Sequence, residues 1–405
     1  MAVMRTLVIS ALSLSCAMIA AGCAKSRAAD MADVTSPASE WVEIYSDDGA
    51  RRGATFQSHV RKLRDHGGAL TLAYTHQGKE HAQNRVVRIP HGGPARTISE
   101  NTTPSNADCI VVWGNRVRHV YADFKAKVLY VDDLDGNTPE RIEDFHTAGK
   151  TTCRVMGEDL LVSTSYGEVW RLRETDDGID PTLVRERLVL EKPESAQYPH
   201  IVEGLNARGG VTVLNTSSMI GFYYRDLYIS ECDAEDVCEP FAGTFPMLTR
   251  AANSWVGDVT RLEDGSLVAY WTENDHHFAP GRVFSLEAES RAYLGVLGPD
   301  GWKKVELGDR ILSARFLRRD DELLLASMGR TGEVFVERVV GGSRDIDEVV
   351  EDGPDLLAYQ NLKVACAYAL DADLAEDVLS LVLTDRGADC ADDTGTVRVW
   401  RHAMN

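Results

Sequence analysis

The chain has 405 residues, 44% of them hydrophobic, and a formal net charge of -20. That content is ample for a substantial buried core. A surface so acidic repels nucleic acid and anionic headgroups, which excludes both as general partners.

From the start of the chain, the uncharged run Leu7–Ala21 follows a single basic residue, Arg5, and closes on small side chains. It is shorter than the roughly 20 residues a helix needs to span a bilayer core. A secretory signal fits it better. The run ends in "IAAGC", which resembles the lipobox of bacterial lipoproteins. The resemblance implies that residues 1–22 are removed and that Cys23 is lipidated as the first residue of the mature protein. An ordinary signal peptide with an incidental cysteine is the alternative. Each buried acyl methylene contributes about 0.8 kcal/mol, and stable anchoring takes at least two chains. A triacylated terminus would hold the protein on the bilayer, and Ala24, where aspartate would favour inner-membrane retention, points to the outer membrane. Residues 23–39, small, polar and patternless, are expected to form a flexible tether before a folded body over 40–405.

With Cys16 in the signal and Cys23 acylated, six cysteines remain: Cys109, Cys153, Cys232, Cys238, Cys366 and Cys390. An even number in an oxidising compartment suggests three disulfides. Spacing suggests 232 with 238, 366 with 390, and 109 with 153, although 15 pairings are possible. Zinc competes poorly, since no C-x-x-C spacing occurs.

After Glu40 the pattern is short apolar runs in pairs, each pair separated by a polar loop. They read "ALTLAYT"/"RVVRI", "VRHVYAD"/"VLYVDD", "DLLVSTS"/"EVWRL", "GVTVLNTS"/"DLYIS", "SLVAYWT"/"AYLGVLG", "ELLLASM"/"EVFVERV" and "LSLVLTD"/"TVRVWRH". Their spacing, about 42 to 57 residues, is that of propeller blades. An inner strand is predicted before each pair, among them "HVRKL", "IVEGLN" and "SARFLRR". An outer strand is predicted after most pairs, including "ARTIS", "LVRERLVL" and "IDEVVE". Radially repeated four-stranded sheets protect their own edges. The last unit lacks an outer strand, while "EWVEIYS" (40–46) has no partner of its own. The expected fold is therefore an all-β, seven-bladed propeller of four-stranded antiparallel blades, closed by residues 40–46 beside 396–401. "VLYVDDLDGNTPERI" resembles the blade signature of TolB-like periplasmic propellers, and "RVVRIPHGGPARTI" echoes it. Fold likeness does not transmit activity.

Loops joining second to third strands, together with the links between blades, share one face. That face holds His76, His81, Asp275, His276, His277 and Asp385 in loops, and Tyr198, His200, Arg250 and Trp255 in links. Histidine and carboxylate suit a divalent metal or a polar ligand, though an acidic surface also carries such loops by default. "DDLDGN" lacks the later ligands of a calcium loop. No G-x-S-x-G, H-E-x-x-H or Walker sequence occurs, and no cofactor is expected. Two functions remain. One is a non-catalytic envelope propeller whose loop face binds a protein, peptide or glycan. The other is a propeller glycoside hydrolase or lyase acting on extracellular polysaccharide, which convergence of Arg, Tyr and carboxylate side chains would favour.

Overall fold

The computed structural model describes residues 40–404 apart from 52–59, 78–81, 103–108, 137, 148–150, 165–166, 187–196, 218–226, 240–241, 244–252, 275–289, 299–300, 312, 330 and 388–393. Its sheets belong to the larger of two units into which the chain divides, Ser39–Asn405.

All the sheets are antiparallel. Strand β1 (Val42–Arg51) precedes the first sheet, β2 (Leu63–His66), β3 (Ala69–Gln77), β4 (Ala82–Pro90) and β5 (Arg96–Asn101). The second sheet comprises β6 (Cys109–Trp113), β7 (Arg116–Asp123), β8 (Val128–Asp133) and β9 (Glu140–Ile142). The third comprises β10 (Thr151–Met156), β11 (Asp159–Thr164), β12 (Val169–Thr175) and β13 (Gly178–Arg185). The fourth holds β14 (Gln197–Ile201), β15 (Thr212–Ser217), β16 (Leu227–Glu231) and β17 (Ala242–Gly243). Next come β18 (Asn253–Arg261), β19 (Leu267–Asn274), β20 (Ser290–Gly298) and β21 (Gly301–Gly308). The sixth sheet is β22 (Ala314–Arg319), β23 (Glu322–Met328), β24 (Glu333–Val340) and β25 (Asp355–Asn361). The last group is β26 (Ala367–Ala375), β27 (Val378–Asp385) and β28 (Thr394–Ala403), and β1, lying between β28 and β3, joins it to β2–β5 in one eight-stranded sheet.

That pairing matches the expectation for 40–46: Val42 faces Arg401, Tyr45 faces Val399 and Ser46 faces Arg398. Trp41 stacks on His402 at 4.8 Å, and Thr396 donates to Asp48 at 2.7 Å. Strand β1 also touches β3, where Ala50 pairs with His76.

Continuous buried runs, such as Leu323–Met328 on β23 and Leu379–Asp385 on β27, bury both faces of the sheets against their neighbours. Tyr270, Leu294, Phe316 and Leu325 fill the junction of the fifth and sixth sheets, and Leu324, Val336, Leu370 and Leu381 that of the sixth and last. Val382, Val397 and Val399 pack on Leu63, Leu72 and Val87, so the last group also meets the first sheet. The first strands touch in chain order from β2 through β6, β10, β14, β18 and β22 to β26, and β26 touches β2.

Two disulfides agree with expectation, Cys109–Cys153 and Cys232–Cys238. Cys366 is disulfide-bonded, and Cys390 lies outside the described residues.

Three predicted strands are displaced. "IDEVVE" is helix α1 (Ile346–Asp352), because Asp345 caps it by accepting from Glu348 N and Val349 and Val350 form its buried stripe. The outer strand is instead β25. Of "HVRKL", His59 lies outside the described residues and only Leu63 is strand: the amides of Lys62 and Leu63 donate to the Asp371 side chain. The first strand of the fourth sheet is β14, which shares only Ile201 with "IVEGLN"; the outer strand of the third sheet, β13, contains the first three residues of "LVRERLVL", whose residues 187–190 lie outside the described residues.

Candidate functional site

Of the residues expected on the loop face, His76 enters a convergent polar cluster where β1 meets the first sheet. Tyr45 and Asp47 project from β1, Tyr74 and His76 from β3, Arg85 from β4 and Glu100 from β5. The hydroxyls of Tyr45 and Tyr74 lie 2.8 Å apart, and Tyr74 donates to Asp47. Arg85 donates to Asp47 at 2.7 Å and to Glu100 at 2.7 Å, and His76 Nε2 stands 3.8 Å from Asp47. Gly49, with φ of +84°, leaves room for the imidazole; a Cβ there would sit 3.3 Å from Nε2.

Burial, and then the bond to Asp47, push the Tyr74 hydroxyl far above the ordinary tyrosine value. Burial likewise raises Tyr45. Both tyrosines are therefore held protonated, as donors rather than bases.

His200 lies elsewhere. It sits on β14 rather than in a link, buried with a network contributed by the first strands of several sheets. Arg61 donates to Asp258 at 3.1 Å and to the carbonyl of Phe316 at 3.1 Å. Asp258 accepts from the amides of Phe316 and Val259. Arg315 donates to Asp371 and to the carbonyl of Val60, and Arg64 pairs with Asp373 at 2.8 Å. Arg154 reaches Glu203 at 3.4 Å.

Burial raises the Asp258 carboxyl, but Arg61, Arg315 and Arg154 outweigh it and hold the group below its ordinary value. Burial, then Arg61, bring Arg154 down to about 10. Burial takes His200 down to about 3, so its imidazole is neutral. The network satisfies buried charges with one another and with main-chain groups, as a low-dielectric interior demands.

Asp385 ends β27 and caps main chain, accepting from Cys366 N and Gly387 N at 3.2 Å each. The expected single constellation is thus divided: His76, His200 and Asp385 occupy three separate settings. Tyr198 and Trp255 belong to strands β14 and β18 rather than links, with side chains outside the described part. His81, Arg250, Asp275, His276 and His277 lie outside the described residues. Among the described residues no three His, Cys, Asp or Glu side chains are grouped to hold a metal ion. Tyr45, Asp47, Tyr74 and Arg85 went unnoticed in the sequence; the alternation of "EIYSD" against "LAYTH" was the available signal.

No family model matches the chain, and no curated protein matches it in sequence. Among solved structures, the chain is similar to the polysaccharide lyase Uly1, with a TM-score of 0.55 at 10% identity, covering 91% of this chain and 100% of that one. It is also similar to the WD40 domain of Toxoplasma gondii coronin, with a TM-score of 0.50 at 9% identity over 91% of this chain and 89% of that one. At such identity the likeness shows the fold alone, a β-propeller.

Proposed function

We propose that this is an envelope lipoprotein, acylated at Cys23 and held at the outer membrane, whose closed seven-bladed propeller binds a protein, peptide or glycan without catalysis. Contact of the first strands in sequence, with β26 against β2 and β1 beside β28, supports the closed ring. One observation carries the non-catalytic role. The best-converged polar cluster spends its groups on each other: Asp47 takes Tyr74 and Arg85, Arg85 also takes Glu100, and both tyrosines stay protonated. A cluster so engaged ties β1 to the first sheet and leaves no activated base or nucleophile of the tyrosine kind.

The test is affinity capture with the detergent-solubilised protein from envelope extract, alongside mass spectrometry of its amino-terminal peptide. Acyl groups on Cys23 and a captured partner are expected. An unmodified Cys23, or cleavage elsewhere, overturns the anchor.

The convergence itself favours a second reading, a hydrolase or lyase in which partly exposed Asp47 and His76 act on polysaccharide. Glycan turnover by the purified protein, abolished in Asp47→Asn, would establish it in place of the first.

A further inference from the structure

The two fully described bridges differ in where their sulfurs lie. Cys109 and Cys153, 0% and 3% exposed, sit in the core between the second and third sheets, among Val111, Val120 and Leu160. A reagent in solution reaches that bond only if the core opens. Cys232 is likewise buried, but Cys238 is partly exposed, and Val237 beside it is 60% exposed. One end of this second bridge is therefore open to solvent. Exposed disulfides are the exchangeable ones, while buried structural ones resist reduction.

The loop 232–238 does not depend on its bridge for shape. The Asp233 carboxylate accepts from the amides of Glu235 at 3.0 Å and Val237 at 2.9 Å. The Asp233 amide donates to the Val237 carbonyl at 3.0 Å. The Cys232 amide donates to the carbonyl of Val211, and that of Glu239 to the carbonyl of Glu231, at 2.8 Å each. Asp236, with φ of +65°, takes two bonds from Arg171, and Arg208 spans Asp233 and Glu239. These contacts hold both cysteines in place whether or not their sulfurs are joined. The thiol form is provided for as well. Carbonyl oxygens of Val184 and Asp236 lie 3.8 and 3.7 Å from Cys238 Sγ, within reach of an S–H donor.

We infer that Cys232–Cys238 is a reversible thiol–disulfide exchange site, opened by a dithiol that attacks Cys238. The incoming thiolate bonds to Cys238 Sγ, the S–S bond breaks, and Cys232 leaves as a thiolate that takes up a proton. The donor's second thiolate then attacks the donor sulfur of the mixed disulfide and releases Cys238. Two electrons pass to the protein, which ends as two thiols while the donor ends as a disulfide. Because the loop keeps the thiols neighbours, an oxidised donor re-forms the bridge by the reverse steps. This site is independent of the proposed binding role.

The test is graded reduction of the folded, full-length protein with dithiothreitol, followed by alkylation and peptide mass spectrometry. Cys232 and Cys238 are expected to label at a dithiol concentration at least about tenfold below that needed for Cys109 and Cys153. The melting temperature of the selectively reduced protein should fall by less than about 4 °C, and oxidised glutathione should restore the bridge. Cys232→Ser and Cys238→Ser then separate the two sulfurs. With oxidised glutathione, the thiol left at Cys238 should form the mixed disulfide at least about tenfold faster than the thiol left at Cys232. Opening of both bridges over one concentration range, opening only with loss of the fold, or equal rates in the two variants overturns the assignment.

Discussion

Arg315 and Asp371 meet across the sixth and last sheets with 2% and 1% of their side-chain surfaces exposed. Asp371 also accepts from the amides of Lys62 and Leu63, at the start of β2. One carboxylate thus connects three sheets, including the first and the last. Removing one partner of such a pair strands the other charge in the interior. Asp371→Ala should cost about 3–5 kcal/mol in urea unfolding. A loss below 1 kcal/mol would mean that the network bears little of the fold's stability.

The bond from Tyr74 to Asp47 holds β1 against the first sheet. Tyr74→Phe keeps the ring and deletes the donor, at a cost of about 1–2 kcal/mol, since Arg85 still reaches Asp47. Hydrogen exchange should quicken in β1 and in β28, its partner. Unchanged exchange in both strands would contradict the latch.

His200 gives a pH dependence with a definite sign. Its pKa in the fold, about 3, lies below the ordinary histidine value, so the unfolded chain binds more protons across that interval. Stability is full above pH 6.5 and declines as pH falls towards 3. Between pH 7 and pH 5 the loss is about 2 kcal/mol. Asp373, whose carboxyl burial raises, works in the opposite sense. The comparison is therefore of slopes: His200→Gln should flatten the decline, and an equal slope in the variant refutes the assignment.

Cys109–Cys153 closes a 44-residue separation and joins the first strands of the second and third sheets. Cys232–Cys238 closes a separation of 6 within the fourth. On the chain-entropy model the first contributes about 4 kcal/mol and the second about 2. Replacing both cysteines of a pair by alanine should lower the melting temperature more for 109/153 than for 232/238. The reverse order would place the second loop's value in the docking of Asp236 on Arg171.

The propeller was legible because its signal is repetitive: pairs of apolar runs at blade spacing, and an unpaired strand at each end of the folded body. Helix α1 was missed although "DIDE" carries its cap, because "EVV" reads equally as strand when the capping carboxylate is ignored. The buried charges left a trace, since Asp258, Arg315 and Asp371 each interrupt an apolar first strand. A single sequence does not say that they face one another. His200 was read into a link because "IVEGLN" starts the inner strand one residue later; in β14 His200 pairs with Leu214.

The first strand of the folded body is hydrogen-bonded to the last. Val42–Arg51 can hydrogen-bond to Thr394–Ala403 only once nearly the whole chain is available, the pairing of greatest sequence separation among the described strands. A chain shortened at its carboxyl end would leave β1 and β27 with open edges together, so truncation should yield aggregates rather than a smaller folded product.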